Sequence, residues 1–309
     1  MSREPSFYVK DKDSGVISLR FFDGISEEAR RYIEDPQRGK YSVGFVTTNF
    51  PDLEFLSPIK DDIVYLETTS VEKIDWSTIN TFKNLTSLGV DVALDLSGLE
   101  CSSFKNMYSL DCFWNPFIEE NISSFSGLKK LRVSHYKANS VSSIDASSEL
   151  EVLSLIYSRK MESLDGIGKF RNLSFIELDT NSQLRDISAL VQCKKLQTAV
   201  VFDNNKIEGY EIFGDLKYLE ELLFGGKKAS VNSLRWLANL KKLELLRFDC
   251  RVVDGDLSVI RKMSSLKHLK FKDKRGFNEK YKELNRMVEE KSGLDYNDLS
   301  IGNRRFFYD

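Results

Sequence analysis

One spacing constrains this chain more than any other property. Nine segments, "NLTSLGV", "NMYSLDC", "GLKKLRV", "ELEVLSL", "NLSFIEL", "KLQTAVV", "YLEELLF", "KLELLRF" and "SLKHLKF", align on a single pattern, L-x-x-L-x-L with substitutions. Their leading apolar residues are Leu85, Met107, Leu128, Leu150, Leu173, Leu196, Leu219, Leu243 and Leu266, separated by 22, 21, 22, 23, 23, 23, 24 and 23 residues. Stepping back by 22 reaches Ile63 in "DIVYLET", and by 22 again reaches Tyr41 in "KYSVGFV", giving ten copies and a degraded eleventh. A period this short means that each unit can bury its apolar side only against its neighbours, so the core grows along one axis.

The second half of each unit has its own period. Leu184, Ile187, Leu190 and Cys193 lie three apart before the next anchor, and so do Ile207, Tyr210, Phe213 and Leu216. A period of three suits a 3₁₀-like or short helical return rather than a long amphipathic helix. On these motifs the chain resembles the leucine-rich repeat family in its short-repeat, internalin-like bacterial form. The resemblance covers about residues 41–275. It implies an α/β solenoid with a curved parallel β-sheet on the concave face, 3₁₀ or short-helix returns on the convex side, and a cap at each end. It also implies an inward asparagine after each strand. Asn115, Asn181 and Asn204 hold that place, while Tyr136, Ser158, Lys227, Arg251 and Lys274 replace it elsewhere, so the asparagine ladder is expected to be broken.

Residues 1–40 read as an N-terminal cap. "FYVKDKDSGVISLRFF" alternates around a D-S-G turn like a hairpin, and "SEEARRYIED" starts with a capping Ser26 and acids in its first turn. Residues 276–309 read as a C-terminal cap with a helix over "NEKYKELNRMVEEK".

Alternation along a strand then sorts the repeat positions. Counting from each anchor, +3 and +5 face the core, +2, +4 and +6 face outward, and +7 lies on the rim. "NMYSLDCFWNPF" therefore places Phe113 at +6 and Trp114 at +7, both on the concave face. They are joined by Tyr65, Ile156, Tyr157, Phe175, Val200, Phe202, Leu223 and Leu245. Nine acids share the face: Glu67, Asp91, Asp111, Glu177, Asp179, Asp203, Glu221, Asp249 and Asp273. Against them stand five bases, Lys130, Arg132, Arg247, Lys270 and Lys272. The predicted surface is aromatic and acidic at its middle although the chain is almost neutral, with 47 acidic and 45 basic residues. The candidate partner-binding set is Glu67, Asp91, Asp111, Phe113, Trp114, Tyr157, Phe175, Glu177, Asp179, Phe202 and Asp203. Large aromatics rimmed by charge have the composition of a protein-binding hot spot, and acids steer a basic partner.

Catalytic chemistry finds no foothold. The two histidines, His135 and His268, belong to no metal-binding spacing, and Cys101, Cys112, Cys193 and Cys250 are scattered core-type thiols. Nucleophile-elbow, phosphate-loop and dinucleotide motifs are missing, and Gly225-Gly226 falls where a loop is expected. The basic run "KHLKFKDKRG" reads as a solvated end rather than a nucleic-acid site. No apolar run approaches the roughly 20 residues needed to span a bilayer, and the N-terminus lacks a secretory apolar core. The expectation is a cytoplasmic, non-enzymatic binder of a folded, basic protein. It needs no cofactor and no metal, and contacts no nucleic acid, membrane or small-molecule substrate. Stand-alone proteins of this kind resemble bacterial immunity proteins that mask a toxin such as a nuclease. An adhesion or effector protein of internalin type, or a regulatory scaffold of an intracellular enzyme, are the alternatives.

Overall fold

The computed structural model describes residues 6–11, 15–22, 24–36, 38–46, 53–69, 76–90 and 95–292. They form two units, one running to Ser134 with Asp145–Ser147 added, the other made of His135–Ile144 and the chain from Ser148 onward.

The first unit carries strands β1 (Ser6–Asp11), β2 (Val16–Phe22), β3 (Lys40–Phe45), β4 (Ile63–Thr68), β5 (Ser87–Val90), β6 (Ser109–Phe113) and β7 (Lys130–Ser134), ordered as in the chain. β1 and β2 pair antiparallel, and every later pairing in this unit is parallel. Helix α1 (Glu27–Glu34) starts at Ser26, whose side chain accepts the Ala29 N–H at 3.1 Å. Leu66, Leu88, Leu110 and Leu131 stand in register at the +3 position and are buried, as the repeat pattern requires. One strand departs from the count. A register shift after Tyr41 turns Val43 and Phe45 inward, so β3 presents Ser42 and Gly44 on its outer side.

The second unit carries β8 (Val152–Ile156), β9 (Phe175–Asp179), β10 (Thr198–Phe202), β11 (Glu221–Val231), β12 (Leu245–Val252) and β13 (His268–Phe271), all parallel, followed by α3 (Tyr281–Ser292). Its +5 column ends in stacked phenylalanines. Phe224 and Phe248 are 6.1 Å apart, and Phe248 and Phe271 are 4.9 Å apart. Tyr281 of α3 then meets Phe271 edge-on at 5.3 Å, so aromatic packing closes the end of this core. Leu284 and Val288 of α3 are buried as well. The returns between strands are 3₁₀ turns such as Ser188–Gln192 and Tyr210–Asp215, which bury Leu190, Tyr210 and Phe213.

Two of the three ladder asparagines behave as expected. Asn204 Oδ1 accepts the Asn181 N–H at 2.8 Å, and Asn181 Oδ1 accepts the Ser158 N–H at 2.8 Å. Their amides donate to the Leu178 and Leu155 carbonyls, each at 2.8 Å. Asn115 does not join them. It caps helix α2 (Pro116–Asn121) by accepting the Ile118 N–H at 2.9 Å. Asn204→Ala should therefore cost about 3 kcal/mol, because it strands a buried N–H and a buried carbonyl together. Asn115→Ala should cost about 1 kcal/mol, the usual loss of an N-cap. Urea unfolding of the two variants measures the difference.

All four cysteines are free and buried. Burial raises the Cys101 and Cys193 thiols to about 11 and Cys250 to about 12, and it pushes Cys112 up as well. A thiol whose folded pKa is raised contributes stability that is complete below its unfolded value, about 8.5, and is lost as pH rises towards the folded one. The melting temperature should begin to fall near pH 9. A thiol reagent at pH 8 should leave the native protein unlabelled and label all four cysteines in urea.

Candidate functional site

Alternation decides which side chains reach the outer face, and one backbone switch decides what happens at its rim. In the second unit the +7 residues His135, Tyr157, Thr180 and Asp203 have φ of 59°, 54°, 55° and 52°, and Gly226 continues the column at 132°. A left-handed residue interrupts the in-out alternation, so +7 stays outside and +8 returns inward. Tyr136, Ser158, Asn181 and Asn204, all at +8, are accordingly buried. The conformation costs a non-glycine residue about 1 kcal/mol or more. It is held by hydrogen bonds from the same residues. The Tyr157 N–H donates to the Asp179 carbonyl at 3.0 Å, and the Asp203 N–H to the Gly225 carbonyl at 2.9 Å.

This switch corrects the reading of Trp114. Its repeat is one residue shorter, and Asn115 before Pro116 is held extended at φ −143° and ψ 170°. Alternation then continues unbroken through Trp114, which points inward and is 1% exposed, taking the place that +8 residues fill elsewhere. Trp114 is core, not part of a binding surface. Phe113 does lie on the outer side, half-buried. The 21-residue spacing and the Asn-Pro step were the signals in the sequence.

Two acids of the first unit, Glu67 and Asp111, are compensated on the face itself. Arg20 of β2 reaches over Gly44 to Glu67 of β4, with nitrogen and oxygen 3.5 Å apart. A Cβ at Gly44 would collide with that guanidinium, so glycine at this outward position is what lets the arginine lie flat. Arg132 of β7 pairs with Asp111 of β6 at 3.7 Å. Partly exposed pairs like these contribute little stability, about 1 kcal/mol or less, but they cancel the charge that would have attracted a basic partner. Arg20 escaped the repeat count because its strand lies in the N-terminal hairpin. The only hint was glycine at an outward position opposite it. Asp91 lies outside the described residues.

The second unit brings Tyr157, Phe175, Glu177, Asp179, Phe202 and Asp203 together on β8, β9 and β10 or directly after them. The +6 row reads Ile156, Asp179, Phe202, and the +4 row reads Ser154, Glu177, Val200. Tyr157 is 44% exposed and its ring sits 5.7 Å from His135. Glu177 accepts a hydrogen bond from the buried Ser154 hydroxyl, and Asp179 accepts from Thr180 Oγ1 at 2.9 Å. Among the described residues no lysine or arginine bridges Glu177, Asp179 or Asp203. Phe175 is on this side but only 5% exposed, covered by Val152 and Val200, so it supports the patch from below rather than offering a ring to a partner.

Beyond β10 the face carries both signs, with Glu221, Asp249 and Asp273 against Arg247, Lys270 and Lys272. Arg247 of β12 lies 5.4 Å from the Phe202 ring, and Lys270 of β13 lies 5.1 Å from the Tyr281 ring. Asp249 is engaged by Lys274 at 2.7 Å. Gly225 and Gly226, expected in a loop, belong instead to the long β11, whose pairing with β12 shifts register between Gly225 and Ser230. The lysines of this bulged stretch, Lys227 and Lys228, are exposed. Among the described residues no group of three or more His, Cys, Asp or Glu side chains is placed to hold a metal ion, and no helix is long and apolar enough to cross a membrane. His268, at +2 on β13, has its pKa lowered by burial and then by Lys267, partly offset by Glu244.

Replacing the two rim-position aromatics should separate core from surface. Trp114→Ala should destabilise by about 3–5 kcal/mol, as deletion of a buried aromatic does. Tyr157→Ala should stay within about 0.5 kcal/mol of the parent. Chemical denaturation of both variants checks this.

No protein-family model matches the chain, and no curated protein sequence matches it. Solved structures do. The chain superposes on an internalin (inlF) from Listeria monocytogenes with a TM-score of 0.59 at 21% identity, covering 82% of this chain and 73% of the internalin. An internalin C2 (inlC2) from the same organism gives 0.47 at 15% identity, over 62% of this chain and 83% of that one. A leucine-rich repeat protein from Leptospira interrogans gives 0.44 at 15% identity, over 82% and 78%. With one parallel strand and one short 3₁₀ return per repeat of 21 to 24 residues, the chain has the leucine-rich repeat fold in its short-repeat, internalin-like form.

Proposed function

We propose that this protein is a non-enzymatic recognition protein that binds a folded, basic protein partner through the outer face of β8–β10, and that it acts as an immunity protein masking a toxin such as a nuclease. The observation that carries the reading is the grouping of Glu177, Asp179 and Asp203, unbridged by lysine or arginine among the described residues, beside the exposed Tyr157 and the half-buried Phe202. An aromatic that is already positioned loses little freedom on binding, and one such anchor can contribute about 2 kcal/mol or more. The acids raise the rate of encounter with a basic surface and orient it. The first unit contributes less than its sequence suggests, since Arg20 and Arg132 occupy Glu67 and Asp111. Masking needs no catalytic group. A basic nuclease that presents lysines and arginines to its phosphate substrate offers the same groups to these carboxylates.

The test uses the purified full chain as bait in an extract of the source organism at low salt. A basic protein should be retained by the parent, lost with the Tyr157→Ala, Asp179→Lys double variant, and inhibited at one-to-one stoichiometry in its own activity assay. Retention that is equal for parent and variant would move the site off β8–β10. Retention without inhibition would leave recognition standing and remove the immunity role.

A further inference from the structure

The first and last strands of the sheet are finished differently. On β13 packs α3, with Tyr281 edge-on to Phe271 at 5.3 Å and Leu284 and Val288 buried. At the other end, among the described residues, the sheet stops at β1. An outermost strand turns half of its backbone N–H and C=O groups away from its neighbour, and those groups are a template for one more strand. β1 keeps that template intact. It pairs with β2 without a bulge over six residues, about 20 Å, and contains neither proline nor glycine. Phe7 and Val9 stand opposite the buried Phe21 and Leu19 and so belong to the core side. Phe7 is covered, its ring 5.1 Å from Phe21 and 5.6 Å from Tyr32 of α1, but Val9 is left 37% exposed. On the outer side Tyr8 is 53% exposed, because Arg20 opposite it lies over Gly44 towards Glu67, away from the edge. We propose that β1 pairs antiparallel with β1 of a second copy of this chain, joining the two sheets edge to edge about a two-fold axis between the two Tyr8 residues.

Alternation selects that register. Residues that face each other across a pair of strands must lie on the same side of the sheet, so the pairing of a strand with its own copy is centred on a residue and not between two. Centring on Val9 would set the apolar Phe7 opposite Asp11, and centring on Phe7 would leave Val9 and Lys10 with no opposite residue within the strand. Centring on Tyr8 uses the strand best. Phe7 then faces Val9 on the core side, twice, which covers the exposed valine. Tyr8 faces Tyr8 on the outer side, and Lys10 faces Ser6, so no like charges meet. Every contact occurs twice, as an isologous interface requires.

The surroundings leave the edge accessible. Helix α1 packs against Glu54–Ile59, the return between β3 and β4, which places it on the side of β1 away from the free edge. Because β13 is covered by α3, each copy has a single free edge and association closes at two. The seam is narrow, on the order of 600 Å² in total, below the usual range for a permanent complex. The dissociation constant should accordingly be on the order of 100 μM. The pairing does not rest on the proposed function, since it uses the first unit and the site on β8–β10 belongs to the second.

Sedimentation equilibrium of the full chain from about 1 μM to about 1 mM reads the association directly. The parent should pass from monomer to dimer and no further. Val9→Lys places a charge on the core side of the edge, the device by which natural edge strands avoid pairing. It should abolish the dimer with the melting temperature unchanged. Register is read by single cysteines under mild oxidation, since the four native thiols are buried and do not compete. Tyr8→Cys should give a disulfide-linked dimer, because facing residues bring their Cα atoms to about 4.5–5.5 Å, within disulfide reach. Val9→Cys and Lys10→Cys meet their own copies only beyond about 7 Å and should link about tenfold more slowly or not at all. Three outcomes would overturn the pairing: a parent that stays monomeric at the highest concentration, a dimer that survives Val9→Lys, or Tyr8→Cys linking no faster than the other two cysteine variants.

Discussion

Everything in each unit depends on the hydrogen bonding of one repeat's strand to the next. A single strand of four to six residues has no other way to satisfy its backbone groups away from water. Pairing fixes neighbouring repeats at about 4.8 Å. It also fixes register, so a residue type that recurs at one repeat position becomes a column. The buried leucines at +3 are one such column, and the stacked Phe224, Phe248 and Phe271 at +5 are another. The outer face is built by the same rule from residues that no core requirement selects, and for that reason it can carry a partner's requirements instead.

The rim depends on a second constraint. A strand that simply continued would send its +7 residue inward. The left-handed residues at His135, Tyr157, Thr180 and Asp203 prevent this, and each donates its N–H to the following strand. Local strain is thus held by hydrogen bonds that exist only because the repeats stack. Tyr157 and Asp203, two residues of the proposed site, are presented outward by this device. Trp114 shows the converse, since an extended Asn-Pro step lets alternation run on and puts the largest side chain of its repeat into the core.

Charge on the face follows neither composition nor position alone. The first unit carries three outward acids, Glu67, Asp91 and Asp111, against six in the second. Two of those three are further reduced by arginine reach. Arg20 spans Gly44 to meet Glu67, and Arg132 meets Asp111 from the adjacent strand. No arginine or lysine reaches Glu177, Asp179 or Asp203 in the same way among the described residues, and the Arg247 guanidinium lies over the Phe202 ring. Glu177, Asp179 and Asp203 thus differ from Glu67 and Asp111 in having no ion pair among the described residues.

The sequence by itself determined the repeat, the parallel strand in each copy, the 3₁₀ returns and the inward leucines, because those follow from spacing and alternation, which are properties of neighbours in the chain. It also determined the ladder roles of Asn181 and Asn204, whose partners are simply one period away. Tertiary structure alone decided which outward residues are usable. Phe175 is covered by Val152 and Val200, Trp114 turns inward, Glu67 and Asp111 are neutralised, and Gly225 lies in a strand rather than a loop. Each of these turns on what a side chain meets one or two strands away, or on a left-handed backbone that only a stacked neighbour can hold. Local pattern does not encode either.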